Sequence, residues 1–185
     1  LPTVETYPVS VGTAGRETPL GHTQVVAKYI NPMWYPTESI RKEHAARGEV
    51  LPEVVMPGAN NPLGHFALRL SMGSGAYLIH ATNVPLAIGM AVTHGCLRMF
   101  PEDIEHLFNE VPVGTPVLIV NQPYKMGWSG NALFMQVHQQ EFTRNNMKQA
   151  DMTQLTRMFV SATQFKSAKI DWRNTEELLS RESIV

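Results

Sequence analysis

The sequence has very little cysteine: Cys96 is the only one among 185 residues. One thiol cannot form an intramolecular disulfide, which excludes a small fold framed by disulfide bonds. The sequence also has no apolar run near the roughly 20 residues that a membrane span requires, and its densest apolar patch is residues 117–120. Its net charge of −1 gives no basic surface for nucleic acid. We therefore expect no membrane span in this chain and no nucleic-acid partner.

The composition is typical of a globular protein. Hydrophobic residues make up 43% of the chain and charged residues 17%, which argues against disorder, and 185 residues suffice for one domain. The chain begins at Leu1 and Pro2 without a basic and apolar leader, so we expect any export signal to be absent from it.

Alternating apolar and polar residues predict short strands over the first two thirds of the chain. The clearest runs from Phe66 to Met72, and residues 73–75 (Gly-Ser-Gly) close it as the tip of a hairpin. The partner strand, residues 77–79, places His80 at its end. Further strands are predicted at residues 7–11, 23–30, 116–120 and 133–137, and a loop at residues 126–130.

Helical patterns are fewer than strand patterns. Pro101 followed by two acidic residues predicts the start of a helix, and other helices are predicted at residues 38–47 and 147–165. We therefore predict a fold that is mainly β with a few helices (α+β), followed from residue 146 by a C-terminal helix and a polar tail.

The segment from Asn31 to Pro62 is long for a connection between strands, and it is rich in proline. Such segments are usually lids or binding loops, and less often linkers. Trp34 and Tyr35 in this segment are candidates for the walls of a substrate groove. The alternative is that they anchor the segment onto the sheet.

Cys96 lies in the sequence Thr93-His94-Gly95-Cys96, which favours a reactive thiol. A thiol needs a neighbouring base to form its thiolate, and imidazole is the usual one; His94 lies two residues before Cys96, and His80 sixteen. His94 and Cys96 share one face if this piece is extended. Gly95 permits a tight backbone that points the Cys96 N–H toward a developing oxyanion. Two alternatives stay open: a buried inert cysteine, and a metal site in which His80, His94 and Cys96 supply three ligands.

The residues around Cys96 resemble the signature of the L,D-transpeptidase catalytic domain, also called the YkuD domain. That signature is a His, a spacer, Ser/Thr-His-Gly-Cys, a hydrophobic residue, and Asn or Arg; residues 93–98 (Thr-His-Gly-Cys-Leu-Arg) match it after His80. The resemblance extends over residues 7–137, and the long segment is similar to the loop of the periplasmic Gram-negative branch. It implies an L,D-transpeptidase-like β-sandwich or mixed sheet over residues 1–145, with the long loop over the active-site groove.

The resemblance also implies an activity. Members of the family cut the bond between diaminopimelate and the fourth D-Ala of a peptidoglycan tetrapeptide stem, and they form a thioester on the cysteine. The acceptor is the diaminopimelate of another stem, a lysine of an outer-membrane lipoprotein or, in some members, water. Carbapenems acylate the cysteine. The implied protein is a periplasmic enzyme that acts on peptidoglycan stems without a metal or other cofactor.

Two alternatives to transfer remain. One is a hydrolase of the same class of bond, either an L,D-carboxypeptidase or an amidase that detaches the lipoprotein. The other is an inactive module that binds the cell wall, in which the groove persists and Cys96 does not react.

The resemblance assigns roles to individual residues. Cys96 is the nucleophile, His80 is the general base, and the backbone carbonyl of Ala81 orients His80. His94 and Gly95 shape the oxyanion site together with the Cys96 N–H. The residues predicted to contact the substrate are Arg98, Tyr77 and Trp34.

The chain departs from the family pattern in two places. Position 81 is Ala where relatives usually have Gly, and we expect the added methyl to narrow a subsite. The family domain normally begins with one or two strands before the match at Tyr7, so we expect N-terminal strands of the domain to be missing from this chain.

Overall fold

The computed structural model describes residues 4–73, 77–122, 124–137, 152–169, 171 and 173. The chain forms two compact units, which divide between Val120 and Asn121. The predicted boundary between residues 145 and 146 lies outside the described residues and stays a prediction, as does the absence of N-terminal strands. Within the described residues, no helix has both the length and the apolar character that crossing a membrane requires.

The first unit is built mainly from strands, as the alternating pattern predicts. Its helices are α1 (Glu38–Ala46) and α2 (Pro101–Glu110). Its strands are β1 (Val11–Gly12), β2 (Gly21–Ile30), β3 (Phe66–Leu70), β4 (Leu78–His80), β5 (Ala91–Thr93), β6 (Leu97–Arg98) and β7 (Pro116–Ile119).

A five-stranded mixed sheet organises this unit, in the order β6-β4-β3-β2-β7. β3 pairs antiparallel with β2 and with β4, which confirms the predicted hairpin, although residues 74–76 at its tip lie outside the described residues. β4 pairs parallel with β6, and β1 pairs parallel with β5 in a separate two-stranded sheet. The predicted mainly β fold of the α+β class is confirmed.

The core lies between this sheet and α2. Leu68 and Leu70 of β3 are fully buried and the intervening Arg69 is exposed, as the pattern of period two requires. α2 starts at Pro101 and buries Ile104 and Phe108, which are four residues apart and so lie on one helix face. Burial of these apolar side chains is the main force that holds the helix against the sheet.

The long segment occupies residues 31–65, between β2 and β3, and contains α1. Its two halves meet where the backbones of Trp34 and Val55 exchange hydrogen bonds. Asn61 is fully buried beside this bridge; its amide donates to the Pro32 carbonyl at 2.9 Å and its oxygen accepts from Leu63 N at 2.9 Å. Asn61 therefore joins the start of the segment to its end.

The second unit contains β8 (Tyr124–Ser129), β9 (Ala132–Val137) and α3 (Met152–Thr163). Trp128 donates from Nε1 to the carbonyl of Ala162 at 2.8 Å, which ties the hairpin to the helix. α3 confirms the predicted helix within the described residues, although residues 147–151 lie outside them. The loop predicted at residues 126–130 is wrong, because residues up to Ser129 continue β8 and the turn consists of Gly130 and Asn131.

Candidate active site

The sequence around Cys96 forms a tight turn between β5 and β6. Thr93, the last residue of β5, is buried, and its hydroxyl donates to the Cys96 carbonyl at 2.6 Å. The same hydroxyl accepts from Gly95 N at 3.1 Å. Gly95 has φ of 105°, in the left-handed region that favours glycine. The Thr93 side chain and the Gly95 backbone therefore fix the position of Cys96.

This turn corrects one expectation and supports another. His94 and Cys96 do not share the face of an extended strand, because Gly95 reverses the backbone between them. The tight backbone predicted at Gly95 is present, but the Gly95 N–H is used by the Thr93 hydroxyl. Tyr77 borders the turn: a Cβ placed on Gly95 would lie 2.8 Å from Tyr77 Cε1.

The parallel pairing of β4 with β6 brings His80 near Cys96. Ile79 pairs with Leu97 and His80 with Arg98. If this register continues by one residue, Cys96 lies beside Leu78. Since side chains two residues apart point to the same face of a sheet, Cys96 is then on the face that carries His80. Cys96 directly precedes β6, and His80 ends the neighbouring strand β4. Direct contact between the two side chains stays a prediction.

His80 is held in one orientation by the backbone. It is buried, and its Nδ1 lies 2.6 Å from the carbonyl oxygen of Ala81, the contact that the resemblance predicts. A carbonyl can only accept a hydrogen bond, so Nδ1 carries the proton of the neutral ring. Nε2 is then the nitrogen that can take a proton from another group.

The environment keeps both the thiol and the imidazole neutral. Burial lowers the pKa of His80 to about 4, with a further contribution from the charge of Arg98, whereas hydrogen bonds with the backbone of Ala81 and Pro62 act to raise it. Burial raises the pKa of the Cys96 thiol, against a hydrogen bond from the Leu78 backbone and the charge of Arg98. At neutral pH the resting pair is therefore a thiol and a neutral imidazole, not a thiolate and an imidazolium.

We expect the burial of His80 to make the protein less stable in acid. Between pH about 6.5 and about 4 the unfolded chain binds a proton at this residue and the folded chain does not, so the free energy of unfolding falls as the pH falls. The full loss from His80 is about 3 kcal/mol. Urea denaturation at pH 7 and at pH 4.5 measures the part of this loss that falls between the two pH values, about 2 kcal/mol, with His80→Gln as the control that lacks this titration. Equal losses for both proteins would contradict the assignment.

Ala81 is buried, and its methyl does not face an open groove. A Cβ placed on Gly64 would lie only 2.4 Å from the Ala81 Cβ, so the methyl points at the Gly64 backbone. The expectation that this methyl narrows a subsite is wrong, because the methyl is buried against Gly64, where the absence of a side chain leaves space for it.

Gly64→Ala is expected to lower the free energy of unfolding by about 3 kcal/mol, as the sum of overpacking against Ala81 and strain at a φ of 65°. Gly48→Ala is the matched control, since Gly48 has φ of 83° and no atom within 4 Å of an added Cβ, so it reports the strain alone. Adding Ala81→Gly to Gly64→Ala should recover the difference between the two single variants. No recovery would show that the Gly64–Ala81 contact is not the cause.

His94 and Arg98 lie on opposite sides of Cys96 in the sequence and have different surroundings. His94 Nε2 lies 3.0 Å from Glu43 Oε2, and Glu43 also pairs with Arg16. Burial lowers the pKa of His94, and the charges of Arg16 and Arg98 lower it further. Arg98 is partly buried, and its Nε has no hydrogen-bond partner among the described residues.

The remaining predicted residue, Trp34, lies at the base of the long segment. It is half-buried and pairs with Val55 through its backbone. Val55 belongs to the same segment, so this pairing joins the segment to itself and not to the sheet. Anchoring on the sheet and contact with a substrate both stay predictions for Trp34. In the part of the chain that the structure describes, no group of three or more His, Cys, Asp or Glu side chains is arranged to hold a metal ion.

Three residues of the site were not found from the sequence. Thr93 was part of the motif but had no assigned role, and its hydroxyl fixes the turn. Glu43 reaches His94 because the long segment folds back toward the turn, and Arg16, in the loop after β1, pairs with Glu43 there. The sequence around Glu43 in α1 contains no motif that indicates this contact.

The fold and site define a protein of mixed β structure in which a single thiol lies near a buried, neutral imidazole. Residues 3–119 match the family model of YkuD, the L,D-transpeptidase catalytic domain. The chain therefore belongs to the L,D-transpeptidase catalytic domain (YkuD) family, which confirms the resemblance in the sequence.

The relatives carry the same family name. The chain is 44% identical over 139 residues to "Probable L,D-transpeptidase YcfS" of Escherichia coli (strain K12), which covers 74% of the chain and 43% of that protein. It is 35% identical over 189 residues to "Probable L,D-transpeptidase ErfK/SrfK" of Salmonella typhimurium (strain LT2), and this match covers 98% of the chain and 59% of that protein. A solved L,D-transpeptidase of Mycobacterium tuberculosis H37Rv is 23% identical, with a TM-score of 0.46 over 62% of this chain and 42% of its own. The chain spans about half the length of these curated relatives.

Proposed function

We propose that the protein is a peptidoglycan L,D-transpeptidase that uses Cys96 as its nucleophile and acts in the periplasm. The observation that carries the proposal is the contact of His80 Nδ1 with the Ala81 carbonyl, on the strand next to the Cys96 turn. This contact leaves Nε2 as the base, and the register sets it on the same sheet face as the thiol. Membership of the family supports the choice of reaction.

The first half of the reaction forms a thioester. His80 Nε2 takes the proton of the Cys96 thiol while the sulfur bonds to the diaminopimelate carbonyl carbon of the donor stem. When the carbon–nitrogen bond breaks, the nitrogen of D-Ala takes this proton from His80, and D-Ala leaves. The low pKa of His80 makes its imidazolium a strong acid for this step. The same low pKa favours the neutral imidazole beside a neutral thiol before the substrate binds.

The second half transfers the acyl group to an amine. The acceptor amine attacks the thioester carbonyl, its surplus proton passes to His80 Nε2, and the proton returns to the Cys96 sulfur as the carbon–sulfur bond breaks. The acceptor is the diaminopimelate of a second stem or the lysine of an outer-membrane lipoprotein. No metal or other cofactor takes part in these steps.

Residues around the turn serve the reaction in different ways. The conformation of Gly95, with φ of 105°, is the feature that would direct the Cys96 N–H toward the oxyanion, and His94 helps to shape this site. Arg98 adds positive charge next to both reacting groups, and its charged guanidinium group, which is only partly buried, is the part of the side chain that would contact the stem. Tyr77, which packs against the turn, and Trp34, at the base of the long segment, complete the substrate surface.

The test is to incubate the protein with a purified tetrapeptide stem, with and without an amine acceptor, and to identify the products by mass spectrometry. We expect D-Ala release and a cross-linked product when the acceptor is present. If the tripeptide is the only product both with and without the acceptor, the protein is a hydrolase and not a transferase. Binding to isolated cell walls without any D-Ala release would identify an inactive wall-binding module.

A further inference from the structure

The helix α1 is poorly anchored by apolar contacts. None of its nine residues is buried, although several side chains, including those of Ile40 and Glu43, are partly covered. A helix of this length is marginal by itself in water, because it has few hydrogen bonds to offset the cost of nucleation. The polar contacts of α1 with the rest of the unit therefore decide where it lies.

Glu43 makes the contact that joins α1 to the Cys96 turn. Its Oε2 lies 3.0 Å from His94 Nε2, and its Oε1 forms an ion pair with Arg16, in the loop between β1 and β2. The Arg16 backbone also borders the turn, since its carbonyl oxygen would lie 3.5 Å from a Cβ on Gly95. One carboxylate thus links the long segment, the loop after β1 and the histidine of the motif.

An ionised carboxylate can only accept hydrogen bonds, so His94 must donate from Nε2. This fixes the proton of the neutral ring on Nε2 and leaves Nδ1 as an acceptor. It also fixes the plane of the ring, as a carboxylate does for a metal-bound histidine. The side chains of Glu43 and His94 are 33% and 31% exposed, so the pair is partly shielded from water, unlike a pair on the open surface.

We propose that Glu43 is a positioning residue of the transfer reaction: it holds His94 in one tautomer and one orientation beside Cys96. The charge of Arg16 lies beside the other oxygen of this carboxylate, Oε1, which makes no hydrogen bond among the described residues. The proposal rests on the proposed function of the Cys96 site. It assigns to the long segment a part in arranging the reacting groups, in addition to covering the groove.

The experiment compares Glu43→Gln and Glu43→Ala with Glu38→Ala in the full chain. Glu38 is the matched control because it lies on the same helix and pairs with Lys42 on the open surface. The tautomer of His94 is read from two-bond nitrogen–proton correlations of its ring by NMR, and the rate of acylation of Cys96 by a carbapenem from intact mass. Melting temperatures of all four proteins report folding.

We expect Glu43→Ala to slow acylation about tenfold or more, in the range known for residues that orient a ligand histidine, and to leave His94 in a mixture of tautomers. Glu43→Gln keeps an acceptor and should lie between Glu43→Ala and the wild type, whereas Glu38→Ala should match the wild type. A Glu43→Ala rate within twofold of the control, or a slowed rate with an unchanged His94 tautomer, would overturn the proposal. Absence of any adduct on the wild type would instead refute the proposed function, while the tautomer would still show whether the contact exists.

Discussion

Replacing Cys96 by alanine is expected to abolish acylation of the protein by a carbapenem. The wild type should gain the mass of one opened carbapenem, and Cys96→Ala should gain none. The reason is that Cys96 is the only thiol in the chain and its turn is fixed by Thr93 and Gly95 next to the strand that carries His80. Intact-protein mass spectrometry of both proteins after the same incubation measures this directly.

Cys96→Ser is the control for this result. It keeps a side chain of similar size, but a hydroxyl has a far higher pKa than a thiol and is a weak nucleophile without strong activation. It should give no stable adduct, and its melting temperature should stay close to that of the wild type. An adduct on Cys96→Ala would assign the nucleophile to another residue. No adduct on any of the three proteins would favour the inactive wall-binding module.

Replacing His80 by alanine is expected to slow acylation by roughly 10²–10⁴-fold, the usual cost of losing a general base. The thiol cannot compensate by ionising, because burial raises its pKa and leaves it neutral near pH 7. The slow residual rate should rise with pH as the thiol ionises without assistance. Single-turnover acylation followed from pH 5 to pH 9 measures both effects.

His106→Ala is the matched control for His80→Ala. His106 is an exposed histidine of the same unit that contacts Glu5, so its loss removes an imidazole without touching the sheet. It should react at the wild-type rate. A near-normal rate for His80→Ala would transfer the role of base to His94. A large drop in the melting temperature of His80→Ala would call for His80→Gln, which fills more of the space.

The features of the fold that depend on local pattern could be predicted from the sequence. The hairpin of β3 and β4 follows from the alternation that ends at Gly73, and α2 from Pro101 and the acidic residues after it. The loop predicted over residues 126–130 is wrong, because most of these residues pair with β9 as part of β8. In the hairpin of β8 and β9 the turn is at Gly130, which has φ of 56°, and Gly127 lies within a paired strand.

The site was predictable where neighbouring strands and a motif fix it. The contact of His80 with the Ala81 carbonyl is present as expected, and β4, which carries His80, is adjacent in the sheet to β6, which Cys96 directly precedes. The contact of Glu43 with His94 could not be predicted, since it joins residues 51 apart through a segment with no regular path. The packing of the Ala81 methyl against Gly64 could not be predicted either, because it depends on how two separate loops meet.

The Asn61 side chain has a consequence for how the length of the long segment can vary in this protein. Asn61 and the bridge between Trp34 and Val55 close the long segment at its base. The end of β2 and the start of β3 are therefore held in place independently of the length of the chain between Trp34 and Val55. Extra residues within a closed loop cost little, because the entropy of closure grows only slowly with length. We therefore expect changes of length between Trp34 and Val55 to leave the register of the sheet intact, whereas the position of Glu43 within this stretch has to be kept for its contact with His94.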